Sequence, residues 1–231
     1  MAGNIELQRI EAAYARRRPG NAYSWFNPGQ VVRLHQVERR LLHALNRNRI
    51  DSLEGKTILE IGCGTGFWLR EFIRWGASPV NVTGIDIMPK RIALAKRLCP
   101  SGVKLLARSA EKLPFSGNKF DIVAQFTAFT SIIDTDLKRR IAGEMLRVLK
   151  TGGLIIWYDF FVGNPRNHDV KGVGMREIKS LFPNCTFSLR RTTLAPPLLR
   201  RIAPWSPALA QALSQLPFLC THNLGIIRKC G

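Results

Sequence analysis

Acidic residues are scarce in this sequence: 16 Asp and Glu stand against 35 Lys and Arg over 231 residues, a formal net charge of +19. A surface this positive attracts phosphates, nucleic acids and anionic lipid, unless the arginines simply decorate solvated faces. CxxC spacing is also missing. The five cysteines (Cys63, Cys99, Cys185, Cys220, Cys230) leave one unpaired in any full disulfide scheme, which suits a reducing compartment. They read as free thiols, and no metal site is expected. The first 25 residues have no continuous apolar core of a signal peptide, because Glu6, Arg9, Glu11 and the run Arg16, Arg17, Arg18 interrupt them, so export is not expected. The longest apolar stretch, Leu194 to Cys220, contains Arg200, Arg201 and five prolines and cannot run as an unbroken membrane span. Repeats and low-complexity segments are absent. A cytoplasmic protein follows as the expectation, with peripheral contact at the inner membrane face left open.

What is present fits one domain over residues 1–231: 45% apolar content supports a sizeable core. Val31, Leu34, Val37, Leu41, Leu42 and Leu45 recur at helical spacing between Gln30 and Asn48, predicting an amphipathic helix before the first strand. Thr57 to Ile61 reads as a short buried strand. Beyond it the pattern alternates: helix Phe67 to Trp75, strand Asn81 to Asp86, helix Pro89 to Leu98, strands Val103 to Ala107 and Phe120 to Gln125, helix Thr135 to Leu149, strand Leu154 to Asp159. Such alternation predicts an α/β fold, a mostly parallel sheet with helices on both faces. Gly152 and Gly153 are expected to end the long helix. The last third predicts a helix near Met175 to Leu181, strands near Thr186 to Thr193 and His222 to Lys229, and a segment 194–219 inserted between them over the edge or mouth of the sheet.

Gly62, Gly64 and Gly66 follow a strand directly and precede a helix, so the backbone can turn tightly and approach a ligand without Cβ interference. Asp86 comes twenty residues after Gly66, at the end of the second strand. Ligands of open α/β sheets bind beyond the carboxyl ends of strands, where a carboxylate can accept hydrogen bonds from both ribose hydroxyls. GxGxG followed by Phe67 and Trp68 is not the GxGxxG with a small last residue that a dinucleotide pyrophosphate requires, which disfavours nicotinamide and flavin enzymes.

Leu59 to Gly66 (LEIGCGTG) resembles the first motif of the class I, Rossmann-like S-adenosylmethionine-dependent methyltransferases almost letter for letter. Phe120 to Gln125 resembles their fourth strand, and Glu144 to Gly153 the helix and turn before the fifth. The resemblance covers about Thr57 to Asp159 and points to the small-molecule branch. It implies a doubly wound, mostly parallel seven-stranded sheet with an antiparallel C-terminal strand, and S-adenosylmethionine as cofactor, with S-adenosylhomocysteine as product. It further implies that Gly62, Gly64 and Gly66 pack against the methionine part, that Asp86 holds the ribose, and that Ile87 and Met88 flank the adenine. Ser109, Ala110 and Glu111 look like the segment beside that ring. The implied cofactor set is completed by Glu60, Cys63 and Gln125.

Direct methyl displacement needs nucleophile, methyl carbon and sulfur in line, and positioning alone supplies much of the acceleration. A base matters only for a hydroxyl or protonated amine. Tyr158, Asp159 and His168, after the fifth strand, are the candidates, although His168 also reads as a plain surface histidine and Asp159 as a turn cap. Tyr14, Tyr23, Trp25 and Phe26 precede the first helix, within an N-terminal helical lid expected over residues 1–50, and can close a pocket or contact a sulfonium. Arg190, Arg191, Arg200 and Arg201 beside Leu198, Leu199, Ile202 and Trp205 suit an anionic substrate or an interface. The expected acceptor is therefore a small molecule, in its finer form a saccharide or an anionic, lipid-linked metabolite. An RNA acceptor is the alternative raised by the charge, but Gln125-Phe-Thr stands where exocyclic-amine enzymes carry Asn/Asp-Pro-Pro-Tyr, and a Pro-Cys nucleophile and an RNA-binding module are lacking. A non-catalytic cofactor-binding domain is a third reading.

Overall fold

The computed structural model describes residues 2–16, 24–163 and 167–229, without the side chains of residues 2–5, 7 and 15. After α1 (Ala2–Ala15), the chain enters α2 (Pro28–Arg47). Asn27 caps it by accepting from Gly29 N at 2.9 Å and Gln30 N at 3.4 Å, and Pro28 occupies the first turn, where a missing N–H costs nothing. Val37, Leu41 and Leu45, one turn apart, are buried, so the sequence periodicity becomes a packing face.

Helices and strands then alternate through β1 (Ile58–Ile61), α3 (Phe67–Arg74), β2 (Val82–Asp86), α4 (Pro89–Leu98), β3 (Lys104–Ala107), β4 (Phe120–Phe126), α5 (Thr135–Val148) and β5 (Leu149–Phe160). The chain closes with α6 (Met175–Leu181), β6 (Cys185–Leu194), α7 (Pro196–Ile202), α8 (Pro207–Leu213) and β7 (Cys220–Lys229). Among the described residues seven strands form one sheet in the order β3-β2-β1-β4-β5-β7-β6. β1 to β5 are parallel, and β7 runs antiparallel to both β5 and β6, the arrangement expected from sequence.

Helices cover both faces, so the central strands are apolar on both sides. Alternate residues feed two cores. Leu59, Ile155 and Trp157 join Met145 of α5 and Phe182 on one face, whereas Ile58, Ile156 and Tyr158 join Leu41 of α2 and Phe72 of α3 on the other. A third cluster joins Leu199, Ala203 and Ala210 of the β6–β7 connection to Val32 of α2. No helix among the described residues is long and apolar enough to cross a membrane.

One local expectation is corrected. α5 ends at Val148, and Gly152 and Gly153 lie inside β5, where its register against β4 shifts between Phe120 and Ile122. A Cβ on Gly153 would stand 2.8 Å from Leu149 Cδ1 and 3.0 Å from Asp121 O, so the pair forms a kink in a strand and not a helix stop. The 194–219 segment is helical despite its prolines, because Pro196 and Pro207 open α7 and α8 and sit in first turns.

Candidate active site

The glycine turn is built as its sequence suggested. Gly62, Gly64 and Gly66 have φ of +69°, +55° and +75°, and Gly62 N and Cys63 N both donate to Ile85 O, at 2.8 and 3.0 Å. A Cβ at Gly62 would lie 2.7 Å from Ala128 Cβ, and one at Gly66 2.5 Å from Cys99 Sγ, so conformation and space both demand glycine. Asp86 ends β2 beside this turn. Its Oδ2 accepts from Gly64 N at 2.8 Å and its Oδ1 from Met88 N at 2.9 Å. A carboxylate accepts about four hydrogen bonds, so the two amides fix the group and leave each oxygen capacity for a diol.

Glu60 stands beside Asp86. Burial pushes its carboxyl up to about 8, the Asp86 charge adds to that, and Arg70 and Arg91 oppose it. Its Oε2 is buried with no partner, an unpaired polar atom that a ligand can satisfy. Burial also raises the Cys63 thiol well above its ordinary value, making it an inert wall.

These groups open into a cavity of about 790 Å³. Glu60, Gly62, Cys63, Gly64, Asp86, Ile87, Met88 and Ala110 line it, so the structure brings most of the sequence-derived cofactor set together. Gly66 lies in the turn behind. Glu111 and Gln125 do not line the cavity. Glu111 Oε1 accepts from Arg140 Nε at 2.6 Å. Gln125 is buried beneath the loop after β4, accepting from Ala128 N at 3.1 Å and donating to Tyr158 O at 3.4 Å, which fixes that loop.

The three acid–base candidates separate. Tyr158 lines the cavity, with its hydroxyl 3.0 Å from Thr193 Oγ1, and burial raises its pKa. Asp159 does not line it; its oxygens accept from Thr130 N at 3.1 Å and Phe160 N at 2.9 Å, and burial pushes it up to about 7. His168 is exposed and also away from the cavity. Its neighbour Asp169 receives Arg16 at 2.7 Å and, through its carbonyl, Arg9 at 3.2 Å, so that loop serves to hold α1.

α1 roofs part of the cavity. Glu6 pairs with Arg9 at 2.7 Å and accepts from Ile133 N at 3.0 Å, while Arg9 also bonds Ser131 O. Tyr14 and Trp25 line the cavity, and the Arg91 guanidinium lies 4.5 Å from the Tyr14 ring centre. Phe26 is 97% exposed, and Tyr23 falls outside the described residues.

Sequence reasoning missed Arg33, Thr193 and His222, all cavity-lining. The buried His222 ring stacks on Tyr158 at 4.7 Å between ring centres, 5° from parallel, with Phe160 at 3.7 Å. Burial and then the Arg33 charge push it down to about 3, so it is neutral. No local signal marked it, because it reaches the cavity only through pairing with β5 and β6, opposite Phe160 and Thr192.

Comparisons with known proteins agree with this geometry. A family model described as a methyltransferase domain matches residues 58–153. A ubiquinone biosynthesis O-methyltransferase of Chelativorans sp. is 32% identical over 160 residues, covering 63% of this chain and 61% of that protein. The chain thus spans less than two thirds of that relative's length. Another protein of that name, from Dechloromonas aromatica, is 27% identical over 219 residues, covering 88% and 87%. Among solved structures, N-methyltransferase NodS from Bradyrhizobium japonicum, in complex with S-adenosylhomocysteine, superposes with a TM-score of 0.69 at 17% identity, covering 98% of this chain and 99% of that one.

Proposed function

We propose, from a chain that belongs to the class I, Rossmann-like S-adenosylmethionine-dependent methyltransferases, that it moves a methyl group from S-adenosylmethionine to a small-molecule acceptor. The observation that carries this reading is Asp86: a buried carboxylate locked by two amides, facing a large cavity beside a left-handed glycine turn and the unpartnered oxygen of Glu60. When bound, the cofactor supplies a methyl carbon made electrophilic by its sulfonium sulfur, and leaves as S-adenosylhomocysteine.

The protein's part is to hold and to exclude. Asp86 orients the ribose, Gly62, Cys63, Gly64 and Gly66 give the backbone close approach, and Ile87, Met88 and Ala110 enclose the adenine. Glu60, protonated near neutral pH, donates a hydrogen bond where an ionised acid would repel Asp86. Glu111 and Gln125 act one step removed, through Arg140 and the loop after β4. Tyr14 and Trp25 shut out water as part of an N-terminal lid. Tyr158 and His222 stand where an acceptor is to be positioned, Asp159 supports the loop after β4 through Thr130 N, and the exposed His168 stays away from the reaction.

The finer reading is an acceptor taken up at an anionic membrane face. Two names among the relatives refer to ubiquinone biosynthesis, and the β6–β7 connection, which lines the cavity with Pro196, Leu199 and Arg200, also exposes Trp205 and Phe218. Calorimetry tests the core of the proposal. S-adenosylhomocysteine is expected to bind the wild-type protein, and Asp86→Ala to weaken it about tenfold to a hundredfold, the worth of one hydrogen bond to a charged group. No heat with the wild type, or unchanged affinity in the variant, refutes it.

A further inference from the structure

The cavity is unevenly charged. Among the described residues five arginines line it (Arg33, Arg70, Arg91, Arg108 and Arg200) against two carboxylates, Glu60 and Asp86. Both acids stand on β1 and β2. The region around β5, β7 and β6 is three to five strands from Asp86, roughly 14–24 Å at ~4.8 Å per strand, and no carboxylate among the described residues lines it.

Arg33 stands there. Among the described residues the partners of its guanidinium are neutral: Gln30 Oε1, at 2.8 and 3.1 Å, and the Tyr158 hydroxyl, to which it is hydrogen-bonded. No described acidic side chain pairs with it. His222 shares the wall; its Nδ1 is engaged by Thr221 Oγ1 at 3.1 Å, leaving Nε2 with no hydrogen-bond partner among the described residues. Thr193 is occupied by Tyr158, and Phe160, Pro196 and Leu199 complete an apolar frame. A half-buried guanidinium in an apolar frame favours a bidentate oxyanion, because its fixed fork of donors matches two oxygens and desolvation strengthens the pair.

We propose that Arg33 and His222 form an acceptor subsite for an oxyanion, a carboxylate or phosphate, carried on an apolar body. The inference rests on the methyltransferase reading of the same cavity and names its substrate class. Arg33 grips the anion bidentately, and the neutral imidazole of His222 gives it one further hydrogen bond. Arg200, exposed at the cavity's edge, favours the approach of such a ligand.

The experiment uses protein saturated with S-adenosylhomocysteine, whose binding is measured first; if that fails, the methyltransferase reading itself falls. Benzoate, phenyl phosphate and the neutral benzyl alcohol are then titrated by calorimetry. At least one anion is expected to bind ten times or more tighter than benzyl alcohol, and the two anions tell carboxylate from phosphate. Arg33→Met is expected to abolish that preference while S-adenosylhomocysteine affinity and Tm stay as in the wild type, Arg33→Lys to retain part of it, and Arg39→Met, an exposed change on the same helix, to leave it intact. The subsite is overturned if neither anion outbinds the alcohol, if Arg33→Met keeps the preference, or if Arg39→Met lowers it as much, which would make it a property of net charge.

Discussion

Glu60 and Asp86 are neighbouring acids with opposite fates. Asp86 receives two backbone amides, whereas Glu60 is buried with an oxygen unpartnered and pushed up to about 8. Folding raises this carboxyl from 4.5, so between those values the folded state holds a proton that the unfolded chain releases, and stability falls as pH rises through that window. Asp159, raised to about 7, acts in the same direction. His222, lowered from 6.5 to about 3, acts the other way but only below 6.5. Melting curves between about pH 6.5 and 8.5 should therefore show a declining Tm. Glu60→Gln, which keeps the shape without titrating, should flatten the decline, and equal slopes in the two proteins would refute the assignment. The glycine turn and Asp86 were legible in the sequence because their conformational demands lie within a few residues of each other. Arg33 and His222 were not, because α2 and β7 reach the cavity only through tertiary packing. Glu111 and Gln125 have motif-like neighbours, yet their side chains turn to Arg140 and to the loop after β4.

At the scale of elements, the sequence was most readable where burial is two-sided. β1, β2 and β4 are short apolar runs ending at glycine, aspartate or a turn, and the helices between them keep a 3.6-residue period. It was least readable where a residue has two uses. A glycine pair serves as a helix stop in one context and, with φ of +74° at Gly152, as a strand kink in another. Proline breaks a helix in its interior yet starts α7 and α8. The position of β7 between β5 and β6 yields a sharp expectation: a Cβ on Gly225 would stand 1.9 Å from Ser188 O on the adjoining strand. Gly225→Ala must push two paired strands apart, at a cost of about 3 kcal/mol or more. Thermal denaturation should show a loss of several degrees, or no soluble protein; an unchanged Tm would mean that β6 and β7 are not paired in this register.

For the whole molecule, the excess of positive charge is concentrated as well as large. No acidic residue follows Glu177, while Arg190, Arg191, Arg200 and Arg201 do, and all four are exposed and without ion pairs among the described residues. In the same region Trp205 is 90% exposed, Phe218 73% and Leu209 50%. Basic and apolar side chains together suit the headgroup boundary of an anionic bilayer. Co-sedimentation should show binding to phosphatidylglycerol vesicles, weakened by salt, and little to phosphatidylcholine. Trp205→Ser with Phe218→Ser should reduce it tenfold or more, since each buried ring is worth about 1.5–3 kcal/mol. Binding that survives the double substitution would leave charge alone as the attraction, and preferential capture of an RNA oligonucleotide would assign the surface to nucleic acid.

The division of the cavity between distant parts of the chain has a further consequence. The glycine turn and Asp86 come from residues 58–88, whereas Pro196, Leu199 and Arg200 come from the connection between β6 and β7. On the proposed reading, the donor side rests on one continuous stretch of chain, while the acceptor side is shared by Arg33 of α2, His222 of β7 and the 195–219 connection, so a graft meant to carry substrate choice into a relative has to move all three.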